Sequence, residues 1–323
     1  MSLKPTLLLA CISYISLTAC AQEVHLDDNG IPQTRNNLTQ EEQQQLEQFL
    51  AQQKANMRFI EGGSFEMGDF GHKITFDGFP LSGYPENKPL HPVTLDSFSM
   101  NAYKATYADF DIYSMATGQE KVGLQEYTIE IRQPNAAAGI NWYDAQSYCQ
   151  WLGQQLAVPM SLPTEAQWEY AARNRGEYIL FPTDTGLIDP ERNVWSFEQT
   201  QALSSKYNTS LVVPLVGLYP PNPLGLYDMI NQNYEWMLDW YDPNYYAVSP
   251  EYNPQGPATG TERVLRGVDA NEGDASNIQA IGQTTTGRYK RAPNPPLIMN
   301  DPKLNQNVST SARCVANSPQ PLN

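Results

Sequence analysis

Residues 161–173 read SLPTEAQWEYAAR and residues 220–229 read PPNPLGLYDM, and the contrast between them sets the architecture. In the first, Thr164 and Gln167 have the spacing of a capping box, each side chain serving a backbone N–H that the helix start leaves unpaired. Trp168, Ala171 and Ala172 follow on one stripe, so the segment is a short helix with an apolar side. The second stretch is punctuated by proline and glycine, and beyond Arg173 the chain reads as turns and short strands. Working outward, Asn141 is placed to cap a helix carrying Ala145, Tyr148, Cys149 and Leu152 on one face, which buries Cys149. Thr106 with Asp109 starts another, with Phe110 and Tyr113 inward and Gly118 as its stop. Thr39 with Glu42 starts a Gln-rich helix ending near Asn56, whose Leu46, Phe49 and Leu50 face docks on the domain. The run MRFIEGGSFEMG at 57–68 reads as a strand, a Gly-Gly turn and a second strand.

The 323 residues carry 35 acidic and 20 basic side chains, a formal charge of −15 that repels nucleic acid and anionic lipid headgroups. Hydrophobic residues at 41% and aromatics at 11% are enough for a core, which a disordered chain lacks. The 25 prolines and 21 glycines favour short elements over a helical bundle. Collagen-like, coiled-coil and multi-span membrane classes are excluded, and no internal repeat of fixed period is present.

Residues 1–20, MSLKPTLLLACISYISLTAC, place an early cation, Lys4, before a short apolar run and small residues. That is the layout of a secretory signal, too short in its apolar part to span a bilayer. Leu17-Thr18-Ala19-Cys20 resembles the lipobox of bacterial lipoproteins, which implies lipidation of Cys20 and an anchor on the periplasmic face of the outer membrane. Two cysteines, Cys149 and Cys314, then remain in an oxidising compartment, and a disulfide between them is the natural reading. Residues 1–19 are thus the signal peptide, 20–57 a lipidated tether with a short helix, and 58–323 the folded domain.

From about 58 to 316 the chain resembles the formylglycine-generating, or sulfatase-modifying factor, family. The matching segments are Phe65-Glu66-Met67-Gly68, ENKPLHPV at 86–93 with its Glu86, Pro89, His91 and Val93, INWYDAQSYCQWL at 140–152, SLPTEAQWEYAAR and PPNPLGLYDM. Tyr234-Glu235-Trp236, RVLRG at 263–267 and ARCV at 312–315 continue the series. The resemblance implies an α+β fold with much irregular structure: a single compact domain related to C-type lectins. It also implies the same Cys149–Cys314 pairing.

Family enzymes hold copper with two cysteines and use oxygen to turn a substrate cysteine into an aldehyde. Here the interval 268–312 has no cysteine, and the resemblance places Thr286 and Arg291 at the two ligand positions. Copper is therefore not expected, because Cu(I) needs soft thiolates. Relatives that oxidise sulfur with iron supply three histidines from an added N-terminal domain, whereas this chain has only His25, His72 and His91. Two structural Ca²⁺ sites are the cofactor that the resemblance still implies. One maps onto Asp228 and Glu235 by side chain with Asn231 and Asn233 by carbonyl, the other onto Asn193, Val194, Asn208 and Ser210.

The function this leaves is a non-catalytic periplasmic lipoprotein that binds another envelope or secreted protein, as a type VI secretion accessory or regulator, or as an immunity protein to a toxin. Thr286, Arg288, Tyr289, Lys290 and Arg291 form a basic, hydroxyl-rich strip suited to an acidic partner surface. The alternative is an oxidoreductase of the same fold acting on a small molecule or peptide, as in relatives that mature siderophore chromophores, with formylglycine generation itself the weakest option. The anchor is checked by phase partitioning: native protein is expected in the detergent phase, and Cys20→Ser in the aqueous phase or stalled as precursor. A freely soluble native form whose N-terminus is not Cys20 overturns it.

Overall fold

Side-chain caps start every long helix. The computed structural model describes residues 24–208, 215–230, 233–267, 284–296 and 301–322. In chain order its helices are α1 (Gln40–Ala55), α2 (Gly71–Ile74), α3 (Tyr107–Thr117), α4 (Trp142–Leu156), α5 (Glu165–Ala172) and α6 (Phe197–Tyr207). Thr39, Thr106, Thr164 and Ser196 close full capping boxes on α1, α3, α5 and α6, and the Asn141 side chain caps α4. Gly118 ends α3 in the left-handed conformation, where a Cβ is costly.

The strands are short: β1 (Met57–Ile60), β2 (Gly63–Met67), β3 (His91–Leu95), β4 (Phe98–Asn101), β5 (Met160–Ser161), β6 (Tyr234–Trp240), β7 (Arg263–Arg266), β8 (Tyr289–Arg291), β9 (Thr310–Ser311) and β10 (Val315–Ala316). They form sheets ordered β1-β4-β10-β5, β2-β3 and β8-β7-β6-β9. Within these, β9 runs parallel to β6 and the other pairs are antiparallel. The strands of the 57–68 run are present but part company, β1 pairing with β4 and β2 with β3. Gly62 makes the divergence possible, since a Cβ there would run into the Leu95 carbonyl.

Two apolar clusters result. One surrounds the Cys149–Cys314 disulfide, which ties α4 to the residue before β10 across 165 positions with a Cα–Cα distance of 5.4 Å. Phe110 stacks on Tyr148 at 4.8 Å there, and Phe49 of α1 packs on Trp151 at 6.1 Å. The other gathers Phe65, Val93, Trp168, Met237 and Val264 around α5, which packs on β2, β3, β6 and β7. The architecture is α+β with much irregular chain, and among the described residues no helix is long and apolar enough to cross a membrane.

Two expectations change. The segment before α1 is no free tether from residue 24 onward: Arg35 donates to the Met115 carbonyl at 2.8 Å and Trp151 Nε1 to Thr34 Oγ1 at 3.1 Å. Chain that buries hydrogen-bonding groups this way belongs to the domain. The region beyond Arg173 also holds a helix, α6, signalled by the Ser196–Gln199 capping box within an otherwise turn-rich sequence.

Because the disulfide closes so long a loop, its loss frees much denatured-state entropy. Cys314→Ser is expected to destabilise the domain by about 4 kcal/mol, read by chemical denaturation, with a single Cys149–Cys314 peptide in non-reducing maps. Both thiols alkylated without reductant would contradict the linkage.

Candidate functional site

α5 carries Glu165 and Glu169 one turn apart, and both carboxylates are buried inside the domain. Arg266, at the end of β7, donates to Glu165 Oε1 at 2.9 Å and to Glu169 Oε2 at 2.7 Å. Arg288, just before β8, clasps Glu165 through Nε–Oε1 at 2.7 Å and Nη2–Oε2 at 2.9 Å, with Tyr246 4.3 Å from its guanidinium. Arg173 completes the group at 2.8 Å from Glu169 Oε1. Burial raises the Glu165 carboxyl, but Arg288 and Arg266 outweigh it and hold the group below the usual carboxylate range. Buried pairs of this kind are costly to break, about 3–5 kcal/mol when one partner is lost, because the other charge stays behind in low dielectric.

This placement corrects the partner strip. Thr286 and Arg288 are buried, with Arg288 held by Glu165 rather than offered to solvent, and Thr286 Oγ1 lies 3.1 Å from Thr284 Oγ1. Lys290 is exposed and pairs with Glu262 at 2.8 Å, while Tyr289 and half-buried Arg291 lie at the edge, Arg291 donating to Ser309 Oγ at 3.0 Å. Neither Thr286 nor Arg291 offers a soft donor, and Cys149 and Cys314 are consumed by their disulfide, so the residues at the copper positions do not fit that metal. His91 is a buried packing residue, its Nδ1 3.0 Å from the Pro89 carbonyl and its ring against Tyr246. Cys20, Asn231 and Ser210 lie outside the described residues.

The expected calcium ligands fare differently. Asn193 and Val194 precede α6 and Asn208 caps its far end, so about 16 Å of helix separates them. The Val194 carbonyl already accepts the Glu191 N–H at 2.9 Å, and Asn193 Oδ1 the Asp189 N–H at 2.7 Å. A calcium ion needs its oxygens 2.3–2.6 Å from one point, and this set does not converge. Asp228, Asn233 and Glu235 share one loop and strand start, and all three are buried. Glu235 is bound at both oxygens by Arg313, at 2.6 and 2.9 Å, and accepts Trp168 Nε1 at 3.2 Å. The Lys104 ammonium donates to the Asn233 carbonyl and sits 3.8 Å from Glu235 Oε1. With two fixed cations among these oxygens, the set does not fit an added divalent ion. Among the described residues no three His, Cys, Asp or Glu side chains gather to hold a metal.

Sequence reasoning missed the ion network and Lys104. The i, i+4 spacing of Glu165, Glu169 and Arg173 was a usable signal, although an amphipathic reading assigns such charges to water.

Asp239 of β6 accepts the Glu165 N–H at 2.8 Å; burial and the Glu165 charge push it up to about 7. The folded state therefore keeps a proton that the unfolded chain releases near pH 4, so this stabilisation is full below about pH 4 and lost as pH rises through 7. Asp239→Asn keeps an acceptor oxygen and cannot ionise. Relative to the parent it is expected to gain on the order of 2 kcal/mol between about pH 4 and pH 8 in urea melts, whereas parallel pH profiles would refute the assignment.

The sulfatase-modifying factor enzyme 1-like domain model matches residues 42–292. The serine/threonine-protein kinase pkn1 of Chlamydia pneumoniae is 32% identical over 231 residues, covering 65% of this chain but only 32% of the kinase-named protein. The formylglycine-generating enzyme of Streptomyces coelicolor is 30% identical over 254 residues, covering 64% of this chain and 76% of that enzyme. In structure, PvdO from Pseudomonas aeruginosa superposes with a TM-score of 0.59 at 24% identity, over 80% of this chain and 93% of PvdO. The shared segment is thus this fold, and the chain spans about a third of the kinase-named relative. With the model covering most of the molecule and the disulfide-tied α+β architecture behind it, this chain belongs to the sulfatase-modifying factor enzyme 1-like family.

Proposed function

We propose that the chain is a non-catalytic, protein-binding member of its family. The observation that carries this is the chemistry at the altered site: the Thr286 hydroxyl and the Arg291 guanidinium stand where the resemblance places two thiolates. Arg288 is neutralised by Glu165 and so cannot act as a free acid or anion clamp, and a Cu(I) ion placed nearby would meet positive charge and hard donors.

The binding half is supported by the loop that rims this site. Ile74, Phe76, Phe79 and Tyr84 are all exposed within one short segment. The loop is braced from below, since the Asp69 carboxylate accepts the N–H groups of Gly71 at 2.9 Å, Leu81 at 2.8 Å and Ser82 at 3.1 Å. Just beyond it, Asn87 and Glu86 reach the altered site, Asn87 Nδ2 lying 3.5 Å from the Thr286 carbonyl and the Glu86 carbonyl accepting from Arg288. Held aromatics on a rigid base are the usual anchors of a protein interface. With a lipid at Cys20 the domain would stand on the periplasmic face of the outer membrane, where an accessory or regulatory role in type VI secretion, or immunity to a toxin, would bring it a partner.

Copper-loaded protein incubated with oxygen and a cysteine-containing sulfatase-type peptide is expected to leave the thiol intact. Aldehyde above the copper-only control overturns the non-catalytic reading. A photoreactive residue at Phe76 is expected to give one defined envelope-protein adduct that the same residue at exposed Leu187 does not, and identical patterns from both positions would remove the loop from the interface.

A further inference from the structure

We infer that the cavity between α3 and the start of α4 binds a small molecule bearing a primary ammonium group, with Asp144 as its counter-ion and Tyr113, Gln125 and Asn307 as its acceptors. The cavity holds about 520 Å³, within the range of small-molecule sites, and it shares no lining residue with the altered site or the aromatic loop. Asp144 stands in the first turn of α4, where its Oδ2 accepts the Asn141 Nδ2 at 2.8 Å. Burial raises its carboxyl, and among the described residues no cation pairs with it. Glu165, Glu169 and Glu235, by contrast, each hold an arginine. The helix N-terminus offsets only part of the Asp144 charge. Lys121, the basic side chain on the cavity wall, is taken by Asp111 at 3.3 Å.

The walls add acceptors that nothing in the chain serves. Tyr113 Oη, Gln125 Oε1 and Asn307 Oδ1 are buried there without a hydrogen-bond partner. Tyr113 is only 1% exposed; burial and the Asp144 charge push its hydroxyl up, so the two groups lie within electrostatic reach of each other. Buried polar atoms are nearly always satisfied, and three orphaned acceptors around one cavity point to a ligand rich in donors. An ammonium brings three N–H donors and one positive charge. A single buried carboxylate among neutral acceptors suits that monovalent cation better than a divalent ion, whose second charge would stay uncompensated. Phe110 and Val122 line the same space and give the rest of the molecule an apolar wall.

Calorimetric titration of the intact protein with phenethylamine, and with phenethyl alcohol as its uncharged counterpart, tests the site. The amine is expected to saturate one site per chain and the alcohol to bind at least about tenfold more weakly, the scale of a charge-assisted hydrogen bond. Asp144→Asn is expected to weaken the amine by about the same factor, and Tyr113→Phe and Asn307→Ala by less. Glu47→Gln, which removes one charge from the exposed face of α1, is expected to change nothing. No saturable heat from phenethylamine, equal binding of amine and alcohol, or amine binding that ignores Asp144→Asn each overturns the inference and leaves a cavity filled by water. Should Asp144→Asn fail to fold, the amine-against-alcohol comparison on the parent and on Asn307→Ala decides.

Discussion

Glu165 and Glu169 on α5 are the constraint around which the irregular half of the molecule is arranged. Strands of two to seven residues bury little surface each, and the loops between them carry backbone groups that must be satisfied. The two carboxylates draw Arg173, Arg266 and Arg288 to one place, and those arginines also reach carbonyls at Glu66, Gly176, Glu177, Glu86 and Thr285. Each guanidinium therefore acts as a staple between α5 and segments distant from it or irregular in structure, β2 at Glu66, the 85–87 turn at Glu86 and the loops at 176–177 and 285. Hydrophobic contact alone is non-directional and would leave such loops poorly specified.

The same network accounts for the chemistry of the altered site. The Arg288 guanidinium, held bidentately by the buried Glu165 carboxylate, is fixed in place, so it is structural material two residues from Thr286, one of the two positions where the resemblance implies a copper ligand. What remains accessible is the rim: the braced aromatic loop around Phe76 and Phe79, and Lys290 with its neighbours. A fold whose interior is committed to its own charges can still present a rigid surface, and rigidity lowers the entropy lost on binding.

Local features of this fold were legible in the sequence because they are set by near neighbours. Capping boxes at Thr39, Thr106 and Thr164, the glycine stop at Gly118 and the buried face holding Cys149 all depend on residues within one or two turns. The ordered family segments supplied the fold itself. Distant pairings were not legible. Arg288 lies 123 positions from Glu165, and a basic run such as RYKR reads as exposed until its partner is known. Lys104 lies 129 positions from Asn233, so Glu235 invites a metal in sequence and meets an ammonium in space.

Those two surprises have one physical content. Next to Thr286, one of the implied copper positions, and at the second of the two implied calcium sites, this chain supplies side-chain cations covalently attached to its own backbone. A bound ion stabilises only in proportion to its concentration above the dissociation constant, and it carries reactivity when its ligands are soft. A lysine or arginine is present at unit stoichiometry, has no open coordination position and no redox couple. Such cations share with a metal ion the electrostatic function of holding acidic oxygens of distant segments together. The tethered cations require their anions to stay, since Glu165 and Glu169 hold Arg173, Arg266 and Arg288, and Glu235 holds Arg313 and Lys104, and a buried charge left without its partner is costly.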